Sequence, residues 1–152
     1  MQIEDGALSA ATKMQPTDPV SSVMTKSVVV ANHGHKFSSV IELFSKYDMH
    51  HLPIVDDDSK IIGILSSNDL MKVFTDPKYK NVTLTSGDTD NHINILDIMT
   101  PHVITVSPND TLKHAAKLFT DNHIMAMPVL ENGQMVGIIT VRDLVQLIAY
   151  FS

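Results

Sequence analysis

Residues 63–70 of this chain are Gly-Ile-Leu-Ser-Ser-Asn-Asp-Leu, and residues 137–144 are Gly-Ile-Ile-Thr-Val-Arg-Asp-Leu. Both stretches carry a glycine, a hydroxyl and a carboxylate at the same spacing. Earlier matching pairs are separated by 75 positions: Met24-Thr25 and Met99-Thr100, Phe37 and Leu112, Phe44 and Phe119, and Leu52-Pro53 and Met127-Pro128. The offset then falls to 74, because the first copy has one extra residue in the turn at positions 56–59. The chain therefore repeats one supersecondary unit, and a single copy of such a unit does not bury its own apolar face.

The repeat divides the chain into four segments. Residues 1–18 show no periodicity and are interpreted as an N-terminal arm, and residues 19–74 form the first repeat. Residues 75–93 are rich in turn-forming residues and are interpreted as a linker. The second repeat occupies residues 94–152. We expect function to lie where the two copies meet.

Each repeat shows the same order of predicted elements. A β-branched run predicts a first strand at residues 28–30 and again at 103–106. Apolar residues then follow at helical spacing, at positions 37, 40, 41 and 44 and at 112, 115, 116 and 119. Two short apolar runs come next, and a last helix is predicted to bury Leu70, Val73, Phe74, Leu144, Leu147 and Ile148. The pattern predicts an α+β fold of two tandem β-α-β-β-α units.

Local signals in the second repeat are the clearer ones. Ser107 before Pro108, with Asp110 three residues after the serine, predicts the N-cap of the helix that follows. The first repeat has residues 32–35, Asn-His-Gly-His, at this place, which is a weaker helix start. Asn132-Gly133 between two apolar runs predicts a two-residue β-hairpin turn.

Composition limits the possible function. The chain has 152 residues, 43% of them hydrophobic, and a formal net charge of −6. A negative net charge disfavours sequence-independent binding to nucleic acid or to an anionic membrane, because both require a basic surface. The absence of cysteine excludes disulfides and thiol catalysis. No apolar run suggests a secretory signal or a membrane span, so we expect a cytoplasmic protein.

The two repeats resemble the cystathionine-β-synthase (CBS) domain family. The resemblance covers about residues 19–151 and rests on three motifs, each present twice. These are Val-Met-Thr or Ile-Met-Thr before the first strand, Leu-Pro-Ile-Val or Met-Pro-Val-Leu in the second, and Gly-Ile-x-Ser/Thr-x-x-Asp at the start of the last helix. The resemblance implies a Bateman module, residues 19–152, in which the two motifs pack sheet to sheet with pseudo-twofold symmetry. It also implies a regulatory role, with adenosine-containing ligands bound in the clefts, and pairing of two modules.

The resemblance implies a ribose-binding role for two residue pairs, Ser66 with Asp69 and Thr140 with Asp143. A carboxylate at a helix N-terminus can accept hydrogen bonds from both ribose hydroxyls, while nearby N–H groups face phosphate. The same Ser/Thr-x-x-Asp pattern is also a helix capping box that needs no ligand. Arg142 matches a position that faces phosphate in the family, and the first repeat has the neutral Asn68 there.

Other candidate residues extend the two sites. His50 and His51 occupy a position where relatives carry basic residues against phosphate, and their counterparts Met125 and Ala126 are uncharged. The resulting prediction is an asymmetric module whose phosphate-binding groups come from different copies. Histidine in such a cleft would strengthen binding below pH about 6.5, where imidazole becomes charged. Further candidates are Thr25 and Thr100 at the base pocket and Ile124 against the adenine face.

Three functions compete at this point. The first is a stand-alone module that binds AMP, ADP or ATP, or S-adenosylmethionine as a further candidate, and relays ligand state to a regulated partner. The second is a dimerisation scaffold with degenerate pockets. The third is a piece that works with inosine-monophosphate dehydrogenase, although a catalytic barrel alone needs about 200 residues or more. A metal site based on His33 and His35 would need further ligands that the sequence does not place nearby. We expect a homodimer, no catalytic residues and no required cofactor.

Overall fold

The structure is a computed structural model that describes residues 14–151, with side chains described for 14–150. Residues 1–13, most of the predicted arm, and residue 152 lie outside the described part. The chain forms two compact units. The central unit comprises residues 29–103, and the terminal unit joins residues 14–28 to residues 104–151.

The central unit contains a three-stranded sheet and five helices. Its strands are β1 (Ala31–Asn32), β2 (His51–Val55) and β3 (Ile61–Ser66), in the order β1-β2-β3. Strand β1 is parallel to β2, and β2 is antiparallel to β3. The helices are α1 (Phe37–Lys46), α2 (Ser67–Leu70), α3 (Lys72–Thr75), α4 (Ser86–His92) and α5 (Ile95–Ile98), with a 3₁₀ turn at Pro77–Tyr79.

The terminal unit has a β-hairpin between two longer helices. After a 3₁₀ turn at Val20–Ser22 it contains α6 (Leu112–Asn122), β4 (Ala126–Glu131), β5 (Gln134–Thr140) and α7 (Val141–Phe151). Strands β4 and β5 are antiparallel, and the turn between them has positive φ angles of 53° at Asn132 and 78° at Gly133. These angles fit the type I′ turn that Asn-Gly favours, so the predicted hairpin is confirmed. The α+β class, the tandem repeat and the two amphipathic helices are confirmed as well.

Each unit takes its core from both repeats. In the central unit, Ile95 and Ile98 of α5 are fully buried against β2, β3 and α1 residues such as Leu52 and Leu65. In the terminal unit, Val20 and Val23 are buried with Met127, Val129 and Ile139, among others. The short segment that begins each sequence repeat therefore packs with the body of the other repeat.

The first predicted strand is displaced in the first repeat and reduced to a single bridge in the second. Strand β1 lies at residues 31–32 and not at 28–30, and in the second repeat only Val106 forms a bridge, parallel to Val129. The β-branched runs coincide with the places where the chain passes from one unit to the other, between residues 28 and 29 and between 103 and 104. An extended chain that leaves a unit has no neighbouring strand with which to pair.

Three local predictions are wrong. Helix α6 begins at Leu112 with Thr111 as its N-cap, whose Oγ1 accepts a hydrogen bond from His114 N at 3.0 Å. Ser107 and Asp110 instead close the preceding turn, where the carboxylate accepts from Ser107 N at 2.8 Å. Phe74 and Ile148 are 65% and 70% exposed, because the buried stripe of the last helices consists of Leu70 and Leu147, with Val73 and Leu144 half-buried.

The segment interpreted as a linker supplies the missing cap of α1. Helix α1 has no side-chain cap at Lys36, but Asp90 of α4 accepts hydrogen bonds from Ser38 N at 2.8 Å and from Ser38 Oγ at 2.6 Å. These two hydrogen bonds hold the pKa of Asp90 below its usual value. Tyr79 and Thr89 of the same segment are buried in the central unit. Residues 75–93 thus contribute to the fold of this unit.

Candidate functional site

In the terminal unit, the candidate residues gather where β5 ends and α7 begins. Thr140 N donates a hydrogen bond to Asp143 Oδ2 at 2.9 Å, and Asp143 N donates to Thr140 Oγ1 at 3.1 Å. This reciprocal pair is the capping box that the sequence predicts, and a cap of this kind contributes about 0.5–2 kcal/mol to helix stability. Asp143 is only 7% exposed.

The other carboxylate oxygen of Asp143 is not used by the capping box. No Lys, Arg or His nitrogen forms an ion pair with Asp143 within residues 14–151. Among the described residues that are not exposed, every fully buried side-chain oxygen or nitrogen has a hydrogen-bond partner. Within the described residues, Oδ1 of Asp143 has neither a hydrogen bond nor an ion pair. The capping box therefore uses only one of the two carboxylate oxygens of Asp143.

Thr25 from the other end of the chain lies beside this helix start. Its N–H donates to Ile138 O at 2.9 Å, and Ile138 N donates to Thr25 O at 3.0 Å. Gly137 permits this approach, because a Cβ at that position would lie 2.9 Å from Thr25 O and 2.7 Å from Met24 Sδ. The segment that begins the first repeat is therefore held against the hairpin of the second repeat by backbone bonds.

The end of β4 completes this group. Met125 O accepts a hydrogen bond from Val141 N at 2.9 Å, and Ala126 is paired with Thr140 across the hairpin. Met125 is 58% exposed, whereas Ile124 is half-buried and packs against the core of the terminal unit. Arg142 is exposed and has no ion pair within the described residues. The backbone of Met125 and Ala126 is thus bonded to the residues at the start of α7, where Arg142 directly precedes the capped carboxylate in sequence.

The central unit repeats this arrangement. Thr100 exchanges hydrogen bonds with Ile64 at 2.8 and 3.0 Å. Ser66 N donates to Asp69 Oδ2 at 2.8 Å, and Asp69 N donates to Ser66 Oγ at 3.1 Å. Gly63 again makes room for the bridging segment, here for the side chain of Met99. The same set of backbone and capping bonds therefore occurs twice, once in each unit.

His50 and His51 lie in the central group. His50 O accepts a hydrogen bond from Ser67 N at 2.9 Å, and His51 is paired with Ser66 across the sheet. Burial and, to a smaller extent, the neighbouring His50 lower the pKa of His51, while Asp69 acts in the opposite direction. The expected gain of charge near pH 6.5 is therefore displaced to lower pH for His51.

The two carboxylates differ in one contact. Asp69 Oδ1 forms an ion pair with Lys72 Nζ at 3.2 Å, and the side chains are 13% and 50% exposed, respectively. The residue that corresponds to Lys72 in the second repeat is Gln146, three residues after Asp143 on α7. Lys72 was not predicted as a site residue, although the sequence already shows lysine in one repeat and glutamine in the other at this position.

The structure distributes the twelve predicted residues over two groups. Seven lie in the terminal unit, namely Thr25, Ile124, Met125, Ala126, Thr140, Arg142 and Asp143, and five lie in the central unit, namely His50, His51, Ser66, Asp69 and Thr100. Each group contains one threonine from the segment that begins the other repeat. The two glycines that admit these segments were not singled out, although Gly63 and Gly137 occupy equivalent positions in the repeats.

The two histidines that were considered as metal ligands have other partners. Residues 33 and 34 form a turn and not an extended segment, so His33 and His35 do not share a strand face. His33 Nε2 contacts Asp57 Oδ1 at 3.1 Å, and His35 Nδ1 accepts from Asn32 N at 3.0 Å. In the part of the chain that the structure describes, no three His, Cys, Asp or Glu side chains are grouped so as to hold a metal ion.

Comparison with known proteins identifies the family. The CBS domain family matches residues 20–76 and 95–150. The chain belongs to the CBS domain family. The CBS domain pair of protein MJ0100, solved with 5′-methylthioadenosine and S-adenosyl-L-methionine, is 26% identical with a TM-score of 0.76 over 90% of this chain and 100% of that one. CBSX2, solved in complex with AMP, shares the fold at 24% identity, with a TM-score of 0.69 over 87% and 96% of the two chains.

The curated relatives are mostly longer proteins. MJ1225 of Methanocaldococcus jannaschii is 26% identical over 131 residues, which are 86% of this chain and 43% of MJ1225. Inosine-5′-monophosphate dehydrogenase of Staphylococcus aureus is 31% identical over 111 residues, which are 71% of this chain and 20% of the enzyme. MJ1426 of M. jannaschii is covered over 89% of its length at 29% identity. Within residues 14–151, none of the helices has the length and apolar character needed to cross a bilayer.

Proposed function

We propose that this CBS domain pair is a regulatory module that binds an adenosine-containing ligand and passes the ligand state to a partner protein. The observation that carries the proposal is the repeated arrangement of a capped carboxylate, an adjacent hydroxyl and a bridging threonine in both units. The structures of MJ0100 and CBSX2 support it, since these CBS proteins were solved with adenosine compounds.

The ribose is assigned to the carboxylate at the start of α7. Asp143 Oδ2 is bonded to Thr140 N, so Oδ1 is the oxygen that would accept ribose hydroxyls. A hydrogen bond between a hydroxyl and a carboxylate contributes about 1.5–3 kcal/mol to binding. The exposed Met125 and the half-buried Ile124 would then contact the adenine ring.

Arg142 favours a nucleotide over S-adenosylmethionine in the terminal unit. Its guanidinium can form paired hydrogen bonds to a phosphate, whereas it would repel the positively charged sulfonium of S-adenosylmethionine. We therefore propose AMP, ADP or ATP as ligands of this unit. In the central unit the equivalent residue is the neutral Asn68, and His50 and His51 are the candidate phosphate-binding groups.

The chain is proposed to regulate and not to catalyse. Two relatives have enzyme names, inosine-5′-monophosphate dehydrogenase and homoserine O-acetyltransferase, but the match covers 20% and 24% of their lengths, respectively. The similarity to these enzymes is thus a similarity to one part of each. An identified partner that changes its activity with the ligand would complete the proposal.

Thermal unfolding in the presence of AMP, ADP, ATP, S-adenosylmethionine and NAD tests the binding proposal. A ligand at about 100 times its Kd stabilises the fold by about 2.7 kcal/mol. For a chain of this size, the corresponding rise in Tm is about 5–10 °C. An unchanged Tm with every adenosine compound at millimolar concentration would instead favour the scaffold alternative. One observation favours that alternative already, because the capping boxes account for Ser66, Asp69, Thr140 and Asp143 without a ligand.

We further propose that the module is a homodimer. Val145 and Ile148 of α7 are 54% and 70% exposed, and Met71 and Phe74 at the end of the first repeat are 52% and 65% exposed. Large apolar side chains clustered on a helix surface indicate an interaction site. A second copy of the chain is the occupant that the family resemblance suggests.

A further inference from the structure

The two capped carboxylates differ in whether their second oxygen is available. Asp69 Oδ1 is 3.2 Å from Lys72 Nζ, and this pair spans the junction from α2 to α3. Asp143 has no ion pair within the described residues, and Gln146 stands in the equivalent place on α7. The remaining bonds of the two capping boxes agree to within 0.1 Å. The lysine is therefore the contact that distinguishes the two carboxylates.

A ribose hydroxyl and the lysine ammonium would compete for the same oxygen. Asp69 Oδ2 is already bonded to Ser66 N, so a ribose would have to take Oδ1. Moving the half-exposed Lys72 away means breaking an ion pair of a kind that typically changes an equilibrium constant by a factor of about 1.4 to 5. In the terminal unit, binding at Asp143 would carry no such cost.

We propose that Lys72 blocks the ribose-accepting oxygen of Asp69 and thereby makes the central unit the weaker of the two nucleoside sites. The inference rests on the proposed function and adds which residue sets the difference between the sites. Adenosine is the appropriate probe, because it is neutral and has no phosphate with which the ammonium could pair.

Nuclear magnetic resonance can measure the two sites separately in the intact protein. Amide signals of residues 66–69 report on the central site, and those of residues 140–143 report on the terminal site. Adenosine is titrated into the wild type, Lys72→Gln and Gln146→Lys. Lys78→Gln is the matched control, because Lys78 also belongs to an ion pair of the central unit, with Asp97 at 3.6 Å, away from the carboxylate in question.

Lys72→Gln is expected to strengthen adenosine binding at residues 66–69 by about 1.4- to 5-fold, the factor that corresponds to an exposed ion pair. Gln146→Lys is expected to weaken binding at residues 140–143 by a similar factor, and Lys78→Gln is expected to change neither site. Raising the salt from 0.05 to about 0.5 M should strengthen adenosine binding to the wild-type central site, because salt screens the competing ion pair. The same change should have no effect in Lys72→Gln.

Unchanged or weaker adenosine binding at residues 66–69 in Lys72→Gln would overturn the inference. A loss of AMP affinity in that variant without a gain for adenosine would also overturn it, since the lysine would then be a phosphate ligand. If adenosine and AMP shift neither set of amides in any form of the protein, the proposed function itself fails. If adenosine still binds at residues 140–143 of the wild type, the proposed function stands and only the inference about Lys72 is overturned.

Discussion

Replacing Gly137 by alanine tests how tightly the segment that begins the first repeat is held against the hairpin of the second. Gly137 lies in β5, and a Cβ there would be 2.9 Å from Thr25 O and 2.7 Å from Met24 Sδ. The methionine side chain can rotate away, but the carbonyl belongs to the backbone. It accepts the hydrogen bond from Ile138 N at 3.0 Å, so relief of the clash must disturb the bridge.

The expected cost follows from three contributions. Introducing a methyl group into packed surroundings costs about 1–3 kcal/mol. Weakening one or two backbone hydrogen bonds adds about 0.5–1.5 kcal/mol each. Against this, alanine reduces the entropy of the unfolded chain and contributes about 0.4–1 kcal/mol to stability where the backbone permits it. Together these contributions span about 0.5–5.6 kcal/mol, and from the middle of that range we expect the free energy of unfolding to decrease by about 2–3 kcal/mol.

Gly63→Ala is the matched comparison. The Cβ at that position would meet only the flexible side chain of Met99 among its nearest atoms, so we expect a loss at least about 1 kcal/mol smaller. Urea denaturation of both variants measures the difference in stability. Circular dichroism is the signal to follow, because the chain has no tryptophan for fluorescence. Met99→Ala should rescue Gly63→Ala in a double-mutant cycle, whereas Met24→Ala should rescue Gly137→Ala only partly. A Gly137→Ala protein as stable as the wild type would refute the reasoning.

Four further predictions follow from single contacts. Arg142→Ala should weaken AMP more than adenosine in calorimetric titrations, and equal losses for both ligands would remove the guanidinium from the phosphate site. The pKa of His51 is lowered in the folded state, so the unfolded chain binds a proton more readily and the fold loses stability as the pH falls below about 6.5. His51→Gln should therefore lose less stability than the wild type between pH 7.5 and 5 in urea denaturation. Asp90 has a lowered pKa, so its contribution to stability is present above about pH 4 and is lost as the pH falls through the lowered pKa. Asp90→Asn should therefore be less stable than the wild type at pH 7, and the difference should narrow on acidification below pH 4 in urea denaturation. In size-exclusion chromatography with light-scattering detection, the wild type should elute as a dimer. Ile148→Glu alters a side chain that is exposed in the single chain, so this variant should shift toward a monomer near 17 kDa and keep the circular dichroism spectrum of the folded protein.

The repeat itself predicted the fold class, but it did not predict which segments belong together. Residues 20–25 and 95–100 are similar in sequence, and each segment begins its own repeat. Thr25 and Thr100 are nevertheless bonded to Ile138 and Ile64, respectively. Backbone hydrogen bonds of this kind do not depend on side-chain identity, so periodicity and spacing contain no information about the exchange. Only the equivalent glycines at 63 and 137 indicate a close approach of another backbone or side chain.

Residues 75–93 show how a tertiary contact overrides a local pattern. Gly87 and the surrounding polar residues favour a turn, yet α4 forms with Thr85 as its N-cap and Asp88 N donating to Thr85 Oγ1 at 3.4 Å. The helix brings Asp90 to the uncapped start of α1. The sequence predicted a weak start for α1 and, separately, a polar segment later in the chain. The contact between them was not predictable, because Ser38 and Asp90 are 52 positions apart in the sequence.

The candidate sites were predictable because the chemistry of capping and the chemistry of ribose binding require the same residues. Asp143 uses Oδ2 for the capping box and Oδ1 lies outside that box, so under the proposed function one repeated geometry would serve both purposes. The two roles can be separated experimentally, because Asp143→Asn can retain an acceptor for Thr140 N while it removes the negative charge offered to a ribose. A large loss of affinity with a small loss of stability in this variant would assign the carboxylate to the ligand, and the reverse would assign it to the helix. The ion pair of Lys72 was not predictable in this way, because whether the lysine reaches Asp69 Oδ1 depends on the break between α2 and α3, and α7 has no such break.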